Sequence, residues 1–328
     1  MKKAILLLLF IAGLLLGVST GGQMSDGGVL LPLPRPSKGQ PFIRIDVYYV
    51  PQGKVVSLDL EEYVKGVVAS EMPPTFHYEA LKAQAVVART YAVRKMKIFG
   101  GTPSRPDADV VSDHNVDQAW APEPEIKRKW GVLFAWRYWA KVSRAVEETE
   151  GLILAYDGMP AEAVYHSTSA GPTEPAVDVW GRDVPYLRSV PCEFCSHSPY
   201  YNAQTVRIPV AVIAKNLSSL GTAVPVTQMV DAYSIVPTEI SPTGRVKEVT
   251  VSGTKIRGLE FRKALGLKST KVYWEVSGED LVLTVRGYGH GVGMCQYGAD
   301  GLARLGKTYL DILSYYYPGT QVVYIFDE

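Results

Sequence analysis

The sequence predicts an α+β fold, in which mixed but mainly antiparallel strands accompany an early helical pair and a helical insertion. Three observations predict it. Ile43 to Tyr49 alternates apolar and polar residues as a half-buried strand does, and Lys54 to Leu58 supplies a hairpin partner across Pro51-Gln52-Gly53. Two helical patterns follow in succession, from Leu60 and from Thr75. Beyond Gly151 the pattern changes to short strand-like runs bounded by turn residues.

The order of elements begins at an export signal. Met1-Lys2-Lys3 is basic, and Ala4 to Val18 is an uncharged run of fifteen residues. A membrane span takes about 20 apolar residues, so residues 1–20 read either as a cleaved signal peptide or as a retained anchor. Residues 21–41, rich in Gly, Pro and Ser, read as a flexible linker, and residues 42–328 as the folded domain. The domain is therefore expected outside the cytoplasm, secreted or held at the cell membrane, where nucleotide cofactors are scarce.

Within the domain, Asp59 and Glu62 have capping-box spacing, and Leu60, Tyr63, Val64, Val67 and Val68 follow the spacing of one buried helix face. Pro73 and Pro74 must stop that helix, which leaves Glu71 at its end. Thr75 to Met96 lacks Gly and is full of strong helix formers, with Ala80, Ala83, Ala85, Ala88 and Ala92 allowing close approach. Thr102 to Pro124 reads as loop, and Glu125 to Glu150 as one helix carrying Trp130, Trp136 and Trp139. Strands are expected at Leu152–Tyr156, Ala161–His166, Val246–Ser252 and Leu281–Arg286. Helices are expected at Leu259–Leu265 and Thr308–Tyr316, the second opened by a Thr308/Asp311 capping box.

Composition excludes several functions. The 328 residues carry 34 basic and 33 acidic side chains, a net charge of +1, so no broad cationic field favours nucleic acid. Three cysteines are too few for a disulfide scaffold. Tyr supplies 20 residues against 8 Phe and 6 Trp, a weighting that suits either half-wet sugar or peptide surfaces or half-buried sheet positions.

Chemistry centres on Glu71. A carboxyl at the end of an apolar-faced helix, followed by Met72 and two prolines, is poorly solvated and has no i, i+4 partner within its helix. Both conditions favour the protonated acid, which suits proton donation to a leaving oxygen. A second cluster is Cys192-Glu193-Phe194-Cys195-Ser196-His197. Cys192, Cys195 and His197 have metal-like spacing but are one ligand short of a structural zinc site, and His166 or Cys295 is in place to complete the set. A Cys192–Cys195 disulfide and unliganded thiols are the alternatives. His77 and His114 read as surface residues.

Three long motifs carry a family resemblance. Tyr63 to Pro73 (YVKGVVASEMP) with Glu79 to Ala92 (EALKAQAVVARTYA) is the first. His166 to Glu174 (HSTSAGPTE), with Val179-Trp180-Gly181 and Tyr186 to Val190, is the second. Gly287 to Ala299 (GYGHGVGMCQYGA), closing with Tyr315 to Thr320, is the third. In this order, over residues 43–325, they resemble the stage II sporulation protein D family, which includes amidase-enhancer proteins. Ala170 stands where relatives often have Gly, Cys295 where they have Ser, and Trp120 in an aromatic place where it bears on sugar stacking.

The resemblance implies a lytic transglycosylase that cuts denuded peptidoglycan glycan strands between N-acetylmuramic acid and N-acetylglucosamine, with Glu71 as catalytic acid, in sporulation and engulfment. The sugar's own C6 hydroxyl is the nucleophile, so no second carboxylate and no catalytic cofactor is needed; any zinc would be structural, bracing the loop after His166. Substrate contacts are expected from Ser167, Ser169, Thr173, His290, Gln296 and Tyr297. Arg89 is also expected to contact substrate, and Arg89 and Gln84, on the second helix, to lie near enough to pair with Glu71 or to hold neighbouring backbone. The implied partners are the glycan strands, a wall amidase and a membrane protein of the engulfment machinery. The alternative is a non-catalytic wall-binding enhancer of an N-acetylmuramoyl-L-alanine amidase.

Overall fold

The structure is a computed structural model that describes residues 43–219 and 232–325. The expected signal or anchor and linker, and residues 42, 220–231 and 326–328 of the expected domain, lie outside the described residues. Among the described residues, no helix is long and apolar enough to cross a membrane.

The chain opens as its alternation requires. Strand β1 (Arg44–Tyr49) pairs antiparallel with β2 (Lys54–Asp59), and Gly53 turns between them at φ +61°. Helix α1 (Leu60–Glu71) starts at Asp59, whose Oδ1 accepts the N–H groups of Glu61 and Glu62 at 2.9 and 3.4 Å. Glu62 does not return the bond; its carboxylate takes Lys65 Nζ at 2.8 Å, so only half of the expected capping box forms. Met72, forced out of helical angles by the proline that follows, ends α1. Helix α2 (Tyr78–Lys95) packs beside α1, and its five alanines are all buried.

Inside the expected loop, β3 (Val110–Val111) pairs parallel with β1, giving the order β2-β1-β3. The single helix expected over 125–150 is two: α3 (Glu123–Trp130) and α4 (Ala135–Glu147). Gly131 at φ +78° divides them, a backbone angle that an unbroken helix cannot contain. Next come β4 (Leu152–Tyr156), β5 (Met159–Pro160) and β6 (Tyr165–His166). The expected strand from Ala161 thus shrinks to its last two residues. Helix α5 (Ala176–Trp180) closes this part of the chain.

A second core then interrupts the first. It is built by β7 (Gln204–Pro209), α6 (Val210–Ser219), β8 (Ile235–Ile240), β9 (Val246–Val251), β10 (Thr254–Arg257), α7 (Gly258–Ala264), β11 (Val272–Ser277) and β12 (Asp280–Val285). Two antiparallel sheets, β10-β9-β8 and β11-β12-β7, bury Val249, Phe261, Leu281 and Leu283 with Ile213 and Leu217 of α6. The chain returns to the first core as β13 (Met294–Cys295), α8 (Gln296–Arg304), α9 (Tyr309–Tyr316) and β14 (Gln321–Tyr324). The Thr308/Asp311 capping box of α9 is complete. The result is mixed α+β with mostly antiparallel sheets, as the sequence predicts.

Arg245 and Glu174 join the two cores. Their side chains are buried, with Arg245 Nε 3.4 Å from Glu174 Oε1, and Ser241 Oγ donates to the same oxygen at 2.9 Å. Arg245 also donates to Ser269 Oγ and to the carbonyl of Ser169. Gly291 is required beside it, because a Cβ there would meet the guanidinium at 2.8 Å.

Candidate active site

Glu71, the last residue of α1, lines a cleft of about 500 Å³ together with Ser70, Met72, Pro73, Trp120 and Trp130. Its Oε1 accepts the backbone N–H of Ala119 at 2.7 Å. The Tyr165 hydroxyl donates to the same carboxyl. Behind it, Gln118 Nε2 donates to Tyr165 Oη at 3.1 Å, and Tyr63 Oη donates to Gln118 Oε1 at 3.2 Å. Every donor in this relay points one way, from Tyr63 through Gln118 and Tyr165 to Glu71. Burial raises the Glu71 pKa above the usual carboxyl value, against the lowering pull of Ala119, Tyr165 and the charge of His114. Burial thus biases Glu71 toward its protonated form, while the Ala119 N–H occupies Oε1.

A second carboxyl lines the same cleft. Glu125, in the first turn of α3, accepts a bond from the Tyr49 hydroxyl and pairs with Lys129 at 3.4 Å. Those partners pull its pKa below the usual value, while burial and Glu125 push the Tyr49 hydroxyl up to about 12. One cleft therefore carries one carboxyl biased to the acid and one biased to the anion.

Trp120 is less available to sugar than its place in the motif implies. It is buried, its ring stacked on Tyr63 at 6.4 Å and met edge-on by Tyr49 at 5.4 Å. Gly66 makes room for it, since a Cβ there would lie 2.4 Å from Trp120 Nε1.

The second and third motifs meet in a two-stranded parallel sheet, with Tyr165 opposite Met294 and His166 opposite Cys295. Buried His166 bonds the Val292 carbonyl through Nδ1 at 3.0 Å and Ser169 Oγ through Nε2 at 2.8 Å. None of the expected substrate contacts Arg89, Ser167, Ser169, Thr173, His290, Gln296 and Tyr297 lines the Glu71 cleft. Ser169 belongs to His166, Thr173 fixes the backbone at Val190 and Arg188, and Gln296 bonds Gln84 on α2. Ser167 lies against Thr168, Tyr297 packs on Phe76 and His197, and His290 sits between His166 and Trp180.

Arg89 needs a correction. Its fully buried guanidinium is paired with Glu61, at 2.7 and 2.5 Å, and bonds the Leu152 carbonyl at 3.0 Å. It cannot reach substrate, and it does not pair with Glu71. His77 is exposed, as expected, and caps α2 by accepting the Glu79 N–H.

The expected metal set also separates. His197 bonds Asp300 Oδ2 at 2.9 Å, which Arg304 Nε also reaches while the His77 N–H donates to Oδ1, and both ring nitrogens of His166 are committed. Cys295 takes their place: the sulfurs of Cys192, Cys195 and Cys295 all lie within 4.8 Å of one another. The Cys192, Cys195, His197, His166 combination therefore does not fit zinc.

The comparisons agree with the motifs. A family described as Stage II sporulation protein matches residues 50–156, the stretch that holds Glu71, Gln118 and Trp120. Stage II sporulation protein D of Bacillus subtilis is 39% identical over 280 residues, covering 85% of this chain and 79% of that one. The chain belongs to the stage II sporulation protein D family. The Bacillus amyloliquefaciens protein of the same name is 38% identical over 85% of this chain and 78% of its own length. The amidase enhancer of Bacillus subtilis is 27% identical, covering 78% of this chain and 40% of that longer protein.

Motif reading of this family member located Glu71 but missed what holds it. Tyr165 was hidden by its neighbour: His166 drew attention, yet successive strand residues face opposite ways, and that alternation alone separates the two roles. Nothing local in the sequence marks the Ala119 N–H, because backbone donors are set by tertiary placement. Glu125 reads as an ordinary first-turn acid, and only the fold brings it to the cleft.

Proposed function

We propose that this chain is a lytic transglycosylase of the peptidoglycan wall, working outside the cytoplasm on glycan strands already stripped of stem peptides. The observation that carries the reading is Glu71, an acid whose pKa burial raises in the lining of a cleft. Glu71 gives its proton to the glycosidic oxygen as the C1–O bond breaks and the bonding pair leaves with that oxygen. The C6 hydroxyl of the same N-acetylmuramic acid closes on C1, and its proton returns to Glu71. Acid and base are then one residue, regenerated each turnover, and the product carries a 1,6-anhydro end. The role in sporulation and the cooperation with a wall amidase are part of the same proposal, supported by the names of the relatives.

Glu125 favours a second reading. An ionised carboxylate beside a neutral acid is what a hydrolase uses to activate water or to hold a glycosyl intermediate. Mass spectrometry of products from denuded strands decides between them. Anhydro ends that vanish in Glu71→Gln support the transglycosylase, reducing ends support hydrolysis, and no cleavage with retained strand binding leaves the amidase-enhancer reading. Anhydro ends at the unchanged rate in Glu71→Gln overturn the assignment of Glu71.

A further inference from the structure

Cys192 and Cys195 lie on the loop after α5, and Cys295 at the junction of β13 and α8, one hundred residues later in the chain. All three are buried, and their sulfurs meet within 4.8 Å. Hydrogen-bond donors converge on these sulfurs. The backbone N–H groups of Ser169 and Gly298 point at Cys295 Sγ, each at 3.3 Å. Those of Ala170 and Gly171 point at Cys195 Sγ, and the Tyr316 hydroxyl lies 3.2 Å from Cys192 Sγ. These donors and the N-terminus of α8, where Cys295 is the cap, complement sulfur held as a metal ligand, and the sulfurs of Cys195 and Cys295 also face the carbonyls of Cys192 and Ser167, at 3.3 and 3.5 Å. Space is reserved as well: a Cβ on Gly298 would lie 2.6 Å from Cys192 Sγ and 2.1 Å from Tyr316 Oη.

Three buried sulfurs this close together present the donor set of a soft cation. Arg245, the neighbouring positive charge, is already committed to Glu174. We propose that Cys192, Cys195 and Cys295 form a three-thiolate site for one thiophilic d10 cation, either zinc(II) or copper(I). Among the described residues, no fourth His, Cys, Asp or Glu joins the cluster. Zinc would close its tetrahedron with the Tyr316 hydroxyl or a water, whereas copper(I) is content with three sulfurs. Either ion would fasten the loop at 192–195, the loop at 169–171 and the start of α8 into one block, beside the strand that carries Tyr165. The site is independent of the Glu71 chemistry and stands or falls separately.

The test is metal content and thiol count on the full chain, purified and handled without oxygen. Elemental analysis after dialysis against zinc(II) in one arm, and against copper(I) in the other, should find one ion per chain. The ion that survives competition by a chromophoric chelator identifies the native metal. Three thiols should react with Ellman's reagent once the protein is denatured in chelator. Cys295→Ser keeps the volume and the cap of α8, so it should fold, and should bind at least tenfold more weakly. Chelation should lower the thermal midpoint of the wild type and leave that of Cys295→Ser unmoved. One reactive thiol without metal, which signifies a Cys192–Cys195 disulfide, overturns the proposal. So do three thiols with no ion retained, or an affinity unchanged in Cys295→Ser.

Discussion

Tyr165 and His166 are neighbours on β6, yet the Tyr165 hydroxyl donates to Glu71 while the His166 ring is held by Ser169 and Val292 on the other face. The strand is two residues long, and its period of two assigns one side chain to the acid and the next to the meeting place of the two glycine-rich motifs.

The Tyr165 hydroxyl stabilises the carboxylate of Glu71, so its loss should raise the Glu71 pKa further. The basic limb of the pH–rate profile, where the acid loses its proton, should move to higher pH in Tyr165→Phe, by about one unit for a hydrogen bond to a charged group. Rates of glycan cleavage across pH check this, and a limb that moves down contradicts it.

Gly66 lies within α1, where Ala would ordinarily stabilise the helix by about 0.5–1 kcal/mol. The Trp120 indole reverses the sign. Gly66→Ala should destabilise by about 1–3 kcal/mol through overpacking, and should shift Trp120 enough to change its fluorescence. Urea titration and emission spectra read both.

Breaking the Arg89–Glu61 pair should cost stability and leave the chemistry alone. Arg89→Met leaves Glu61 without its buried partner, a loss of about 3 kcal/mol, at the low end because the Glu61 side chain is 18% exposed. Denaturant unfolding measures the loss, and the product pattern of the folded fraction should match the wild type.

Burial holds His166 well below the usual imidazole pKa and His290 at about 4, with Arg262 and Arg245 adding to the fall at His290. The unfolded chain takes up protons at these residues near pH 6.5, before the folded chain does. Stability is therefore full above about pH 6.5 and declines as pH falls toward 4. Thermal midpoints between pH 7 and 4 should show this slope, and His290→Asn should flatten part of it.

The early hairpin, the two helices and the proline stop were legible because each rests on local rules: alternation, an apolar stripe, and a missing N–H at Pro73. Glu71 followed from them. The break at Gly131 was missed because a single glycine is tolerable in a helical pattern, and only the φ of +78° shows that it ends α3. Most of the second core escaped because β7 and β8 are largely exposed, and in β11 the outward Tyr273 hides an alternation that the burial pattern has. Arg89 was misjudged because motif membership does not say which carboxylate a guanidinium meets. Spacing offered Cys295 only as one of two residues, with His166, that complete the Cys192 and Cys195 set, and the pairing of β6 with β13 places its sulfur beside the other two.

Gln204 and Val285, the first and last residues of the second core, sit opposite each other in the β12–β7 ladder. A module whose entrance and exit touch adds little to the loop-closure cost borne by its host, whatever its length. The block is thus replaceable as one piece, and a tight turn spliced between those two positions spans the gap it would leave.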